Sequence, residues 1–334
     1  MSDFSRITLD SLCEELAKPK KTLIFFHTRP DADAIGSSFA LKLILEDMGS
    51  DAYCLCDSEI PERLRFLTVG LQDSTLLSSL PENFDYERCI SVDTASPSQF
   101  GTLFEKFGDK IDIMIDHHAK GTPCADNYIK PDSAASGEII FEIAKKLIVN
   151  GNLKGMSKKV CELLYAAISA DTGCFRYSNV TPNTHMCAAE LVKVGIDCAA
   201  VNHNLFECKS IKVLCAESEG FKTLKFFCGG KIAAVIFPYE LKRKFGLLDE
   251  HLETLVDIAR SVEGVEVALA IRQSTEKNIF RVSARSSSDV DVSVVCEHFG
   301  GGGHVKAAGC TVEAESIEKA ADLVVAEIEK QIKK

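Results

Sequence analysis

Three short apolar runs each give way to aspartate or histidine. TLIFF (22–26) runs into His27, CISV (89–92) into Asp93, and IDIMI (111–115) into Asp116, His117 and His118. Such runs, apolar on both faces and separated by helical patterns, predict parallel strands covered on both sides. One helical pattern extends from Ala34 to Met48, with Gly49 as its C-cap. Further helices are expected over 136–148, 157–170 and 182–194, and a further short strand over 52–56. The expected class is α/β: a doubly wound parallel sheet, followed by a smaller α+β domain. In open parallel sheets, ligands bind outside the carboxyl ends of the strands. Three strand ends therefore direct His and Asp side chains towards one edge.

A chain of 334 residues predicts about two domains. The pattern changes near residue 195. The expected division is a first domain over 1–194, a partly helical connector over 195–219 and a second domain over 220–334. In the second domain, 221–237 reads as a hairpin around Cys228-Gly229-Gly230-Lys231. A helix is expected over 250–261, and a strand pair over 265–273 and 278–285. The end, 316–332, is an amphipathic helix with Ile317, Ala321, Val324 and Ile328 on one stripe.

The net charge of −11 excludes a general basic face for gripping a long nucleic acid, but leaves room for a small anion in a local site. No apolar run approaches the ~20 residues of a membrane span. The N-terminus shows no basic start followed by an apolar core, so no secretory signal and a cytoplasmic location are expected. The 14 cysteines include no Cys-x-x-Cys pair, which argues against a zinc-finger framework. They read as reduced, mostly buried small hydrophobes. No Gly-x-Gly-x-x-Gly follows the first strand, which disfavours a dinucleotide-dependent dehydrogenase.

The candidate ligands are His27, Asp31, Asp33, Asp93, Asp116, His117, His118 and Asp171, the last at the expected end of a helix. Crowded carboxylates repel one another and raise one another's pKa unless a cation neutralises them. Aspartate with neutral histidine suits Mn²⁺, Mg²⁺ or Co²⁺, and this many ligands exceeds what one ion uses. Two ions about 3.5–4 Å apart, sharing a bridging carboxylate, would accommodate them. Each cluster alone has a plainer reading. Asp33 could cap a helix beginning at Ala34, and Asp93-Thr94 and Asp171-Thr172-Gly173 could be ordinary turns. Their joint occurrence at four segment ends favours the metal reading.

A second signal is Phe299-Gly300-Gly301-Gly302-Gly303-His304. Four consecutive glycines are entropically costly, and a usual reason is close approach of main-chain N–H groups to a phosphate or carboxylate. His304, Lys306 and Arg285 could add charge-assisted bonds, whereas a tight turn is the plainer alternative. Arg281 and Arg285 alternate with apolar residues, so either could simply face solvent.

These residues resemble the DHH phosphoesterase superfamily. His27-Thr28-Arg29-Pro30-Asp31-Ala32-Asp33-Ala34-Ile35-Gly36-Ser37 is similar to its first motif, Asp93-Thr94 to its second, and Asp116-His117-His118 to the signature that names it. Ala170-Asp171-Thr172-Gly173, continuing into Phe175-Arg176-Tyr177-Ser178, resembles the fourth. Gly301-Gly302-Gly303-His304 with Ala307-Ala308-Gly309 resembles the DHH-associated C-terminal (DHHA1) domain. The resemblance implies a DHH domain followed by a DHHA1 domain. It also implies two divalent ions, Mn²⁺ first among Mn²⁺, Mg²⁺ and Co²⁺. His27 and Asp31 would hold one ion and Asp33, His117 and Asp171 the other, with Asp93 bridging. His118 would act beside the reacting phosphate, with Asp116 orienting the ligands. Arg285, Gly301, Gly302, Gly303 and His304 would bind substrate phosphate, and Arg176 is a further candidate contact. The two-domain plan resembles the oligoribonuclease and 3′-phosphoadenosine 5′-phosphate (pAp) phosphatase branch. The implied substrate is a short RNA or small nucleotide, and a homodimer is also implied. A cyclic or linear dinucleotide is the alternative substrate. A nucleotide sensor with a retained metal site is the non-enzymatic alternative, expected to have lost ligands that are all present here.

Overall fold

The computed structural model describes residues 4–332. The chain divides into two units between Cys208 and Lys209. The first contains α1 (Leu9–Leu16), β1 (Thr22–Phe25), α2 (Ala32–Asp47), β2 (Ala52–Leu55), β3 (Arg88–Val92) and α3 (Leu103–Phe107). These are followed by β4 (Ile113–Asp116), β5 (Asp126–Ile129), α4 (Ser136–Val149), α5 (Lys158–Asp171), α6 (Pro182–Lys193) and α7 (Cys198–Asn202). The five strands are all parallel, in the order β2-β1-β3-β4-β5. The order in which strands are added to the sheet therefore reverses between β1 and β3, the place where open α/β sheets bind ligands.

The period of two in β1 sends its side chains to opposite faces. Ile24 and Phe26 join a core beneath α1, α2, α4 and α5. Leu23 and Phe25 join a smaller core under α3, where the Phe25 ring lies 5.1 Å from that of Phe107. Helix α2 is buried nearly all round. Such a helix is held by packing rather than by an amphipathic stripe. It begins two residues before the expected Ala34. β5 is an addition to the sequence reading. Its run, DNYI, has no apolar pattern, and parallel pairing with β4 together with a bridge from Arg6 to Asn127 defines it.

The expected connector holds α7, a π-turn over His203–Glu207 and most of α8 (Ile211–Lys222). The second unit continues with β6 (Leu224–Phe227), β7 (Ile232–Phe237), α9 (Tyr239–Lys244), α10 (Leu255–Arg260), β8 (Val267–Gln273) and β9 (Ile279–Ser286). It ends with α11 (Val292–His298), β10 (Gly302–His304), β11 (Ala307–Glu313) and α12 (Ile317–Ile332). The sheet order is β10-β11-β9-β8-β7-β6, antiparallel except between β7 and β8. β6 and β7 form the expected hairpin, whose turn takes left-handed backbone at Cys228, Gly229 and Gly230. Ile317, Ala321, Val324 and Ile328 of α12 pack on one sheet face together with α11. On the other face, α8 and α10 cover only the β6–β8 end. Eight of the 14 cysteines are buried.

Candidate metal centre and phosphate site

β1, β3 and β4 are neighbours in the sheet, so residues leaving their carboxyl ends meet. His27 lies two residues past β1, Asp93 directly follows β3, and Asp116 ends β4. Asp93 turns the chain with a left-handed φ of 55°, a conformation that aspartate tolerates better than most residues. Asp171 is the last residue of α5, which brings the fourth segment to the same edge.

The two imidazoles in line with the carboxylates are oriented by main-chain carbonyls. His27 Nδ1 donates to Thr28 O at 2.9 Å, and His117 Nδ1 donates to Ser133 O at 3.3 Å. A carbonyl only accepts, so each ring keeps its proton on Nδ1 and turns Nε2 towards the carboxylates. His27 Nε2 lies 3.6 Å from Asp93 Oδ2 and 3.8 Å from Asp31 Oδ1. His117 Nε2 lies 3.3 Å from Asp171 Oδ2, 3.6 Å from Asp93 Oδ1 and 3.7 Å from Asp33 Oδ2. Most of these gaps exceed a hydrogen bond. They suit ligand atoms each standing about 2.0–2.2 Å from a shared cation. Asp93 belongs to both groups.

The electrostatics point the same way. Burial and the charges of Asp93, Asp171 and Asp31 push the Asp33 carboxyl well above its usual range. Burial and the neighbouring carboxylates, against His117, push Asp171 up to about 7. Asp93 is held low despite its burial by His27, His118 and His117. Without a cation, this set cannot all ionise at neutral pH, so the donor set fits a divalent metal centre.

Asp31, not Asp33, is the helix cap. Asp31 Oδ1 accepts N–H bonds from Asp33 and Ala34, both at 3.0 Å. Asp33 lies inside α2 and is fully buried. Its carboxylate accepts from the N–H groups of Ser136 (2.7 Å) and Gly137 (2.9 Å), at the start of α4. The Ser136 hydroxyl also donates to Asp93 Oδ1 at 2.9 Å. Helical periodicity marks Ser136 only as a helix start, although the small-residue run Ser133-Ala134-Ala135-Ser136-Gly137 before an apolar helix is a usable signal of a close approach.

His118 faces another way. Its Nδ1 donates to Asp116 Oδ1 at 2.7 Å, and the same oxygen accepts the His117 N–H at 2.8 Å. Against its burial, the bond to Asp116 and the charge of Asp93 raise His118 to about 9. The Asp116 carboxylate thus fixes the ring through Nδ1 and favours its protonated form. Arg176 is exposed and its Nε donates to Gly173 O at 2.5 Å.

In the second unit, the register pairs His304 with Ala307 and Ala307 with Arg285. Directly paired residues share a sheet face, so His304 and Arg285 do too. A Cβ on Gly301 would stand 2.2 Å from Gly309 O, and one on Gly303 2.6 Å from Ala307 O. These two glycines are thus required by strand packing, whereas Gly302 has open space where a side chain would be.

Residues 21–168 match the DHH family, N-terminal domain, and residues 229–332 match the DHHA1 domain. The chain is 28% identical over 308 residues to the bifunctional oligoribonuclease and PAP phosphatase NrnA of Thermus thermophilus, covering 92% of this chain and 88% of that protein. It is 28% identical to the NrnA of Bacillus subtilis, covering 91% and 92%. The cyclic-di-AMP phosphodiesterase PdeA of Listeria monocytogenes is 25% identical, over 98% of this chain and 49% of PdeA. In fold, the chain is similar to an exopolyphosphatase-related protein of Bacteroides fragilis, with a TM-score of 0.86 at 22% identity, over 96% and 95% of the two chains. With both domains matched in order, and relatives aligned along nearly the whole chain, this protein belongs to the DHH/DHHA1 family of phosphoesterases.

Proposed function

We propose that the protein is a metal-dependent phosphoesterase that hydrolyses short oligoribonucleotides, releasing 5′-nucleotides, and the 3′-phosphate of pAp. The observation that carries this reading is the donor set gathered around Asp93. His27 and Asp31 would hold one divalent ion, and Asp33, His117 and Asp171 a second, with Asp93 common to both; Mn²⁺ suits these ligands. When bound, such ions supply Lewis-acid polarisation of the phosphoryl group and acidify water at neutral pH.

The remaining work belongs to the side chains. Asp116 fixes the His118 ring through Nδ1, so Nε2 is the ring atom that would act on substrate. From there it stabilises charge on the phosphoryl oxygens and donates a proton to the leaving oxygen. Asp93 and Asp33 are held in place from the start of α4, which spares reorganisation during the reaction. In the second unit, Arg285, His304 and the Gly301–Gly303 backbone bind substrate phosphate. The net charge of −11 favours a short substrate over a long strand.

The similarity to PdeA keeps a dinucleotide substrate as a second reading. The test is turnover in Mn²⁺ of pAp, 5′-phosphorylated RNAs of two to twenty residues, linear pApA and cyclic di-AMP, followed by product chromatography. Cleavage of the shortest RNAs or of pAp is expected. Preference for the cyclic dinucleotide would move the role to the second reading. No turnover of any substrate by folded, metal-loaded protein would overturn both.

A further inference from the structure

None of the 14 cysteines is a ligand of the proposed centre, yet two of them meet in the second unit. Cys296 of α11 and Cys310 of β11 are free thiols in the same buried core. Gly301 is wedged between them. Its N–H bonds Cys296 O at 2.9 Å, and a Cβ on it would stand 2.6 Å from the Cβ of Cys310. The two thiols are hydrogen-bond partners, Cys296 donating its S–H to the Cys310 sulfur. That bond, together with burial, raises the Cys296 thiol; against burial, it lowers the Cys310 thiol. Cys310 is therefore the sulfur that forms a thiolate first, and the thiolate is the reactive form.

The pair brackets the glycine run. Cys296 O also accepts the Phe299 N–H at 3.0 Å, so the run hangs from that carbonyl at its start. At its end, β10 pairs with Ala307–Gly309, immediately before Cys310. A bond between the two sulfurs closes a ring over 296–310 that contains the whole run and His304. Gly301 has no slack within it, since its Cβ position is also 2.2 Å from Gly309 O. Any change in the spacing of the two cysteines is thus passed to its backbone. Access is unequal. Cys296 is fully buried, whereas Cys310 is 9% exposed. Cys310 is the first residue of β11 past the β10 pairing, and the residue beside it there is a glycine with no side chain to cover it. A small oxidant therefore reaches Cys310 first.

We propose that Cys296 and Cys310 form a reversible disulfide, a peroxide-sensitive lock on the glycine run. The Cys310 thiolate attacks one oxygen of hydrogen peroxide; the O–O bond breaks, leaving a sulfenic acid on Cys310 and hydroxide, which takes up the proton that Cys310 lost. The Cys296 thiol then attacks the Cys310 sulfur. The S–S bond forms, the S–O bond breaks, and the hydroxyl leaves as water with the Cys296 proton. In sum, two thiols and one peroxide give one disulfide and two waters, and an external thiol reverses the change. The covalent bond holds the sulfurs closer than any non-bonded contact, drawing the end of α11 onto β11 and shifting Gly301 with it. The effect on turnover rests on the phosphoesterase reading, whereas the disulfide itself does not.

The test treats reduced, full-length protein with hydrogen peroxide, removes the peroxide and then adds Mn²⁺. Peptide mapping by mass spectrometry without reductant should find Cys296 joined to Cys310. The oxidised protein should melt at a higher temperature than the reduced one. Its KM for pAp should rise by about tenfold, and dithiothreitol should reverse both changes. C296A and C310A should each keep the reduced wild-type KM and lose its response to peroxide. C310V, which keeps the core filled, serves where C310A is poorly folded. The disulfide is overturned if peroxide-treated wild type yields no 296–310 cross-link. The lock is overturned if the cross-linked protein keeps the reduced KM, or if C296A and C310V still respond to peroxide as wild type does. Absence of pAp turnover in the reduced wild type would instead count against the phosphoesterase reading, while the peptide map and the melting temperature still decide the disulfide.

Discussion

The hydroxyl of Ser136 donates a 2.9 Å hydrogen bond to Asp93 Oδ1, tying the start of α4 to the carboxylate common to both ligand groups. The same residue's N–H serves Asp33. One loop thus aligns two ligands that are sixty residues apart in sequence. S136A keeps the main-chain bond to Asp33 and loses only the one to Asp93. Removal of such an outer contact typically costs about 10–100-fold in metal affinity. Calorimetric titration of metal-stripped protein with Mn²⁺ measures this directly, and an unchanged affinity would show that Asp93 needs no such support.

Asp93 itself should be indispensable. D93N leaves a neutral amide where two groups share a carboxylate, so Mn²⁺ binding should weaken and turnover fall below detection. EDTA should abolish wild-type turnover, and added Mn²⁺ should restore it. Retained activity of D93N in a metal-stripped preparation would exclude the proposed centre.

Asp116 and His118 should behave as a pair. D116N removes the carboxylate charge that favours the protonated ring, and H118Q removes the ring. Each should lower kcat by about 10²–10⁴-fold. The double variant should lose little more than either alone, because coupled residues are non-additive. Mn²⁺ affinity should be nearly unchanged in both single variants. Fully additive losses would place His118 outside any partnership with Asp116.

The glycine run should separate stability from binding. Gly303 has a φ of 142° and no room for a Cβ beside Ala307 O. G303A should therefore cost about 1–3 kcal/mol of stability by denaturant titration. G302A meets nothing within 4 Å, so its stability should stay within about 0.5 kcal/mol of wild type. Its KM should rise if the glycine run holds substrate. The reverse pattern would contradict the assigned strand packing.

The amino-acid sequence by itself determined that His27, Asp93 and Asp116–His118 would converge. Apolar runs of four or five residues between helices admit few arrangements other than parallel strands, and their polar ends must emerge at one edge. Asp171 was legible as a helix end, but not which helix face would meet His117. Packing of α5 against α2 and α4 decided that. Asp31 and Asp33 are equally good caps on paper. The choice fell to Asp31 because the Asp33 carboxylate is taken by N–H groups more than one hundred residues away, and no local pattern encodes a contact so distant. DNYI became β5 for the same reason: its hydrogen-bond partners, not its own hydrophobicity, make it a strand. The cross-strand rows of the second sheet belong wholly to tertiary structure. Alternation shows that Arg281 and Arg285 share a face, but only the register between β8, β9, β10 and β11 puts Arg272 and His304 beside them. Register between strands is set by the cores on either side of the sheet and is invisible along a single strand.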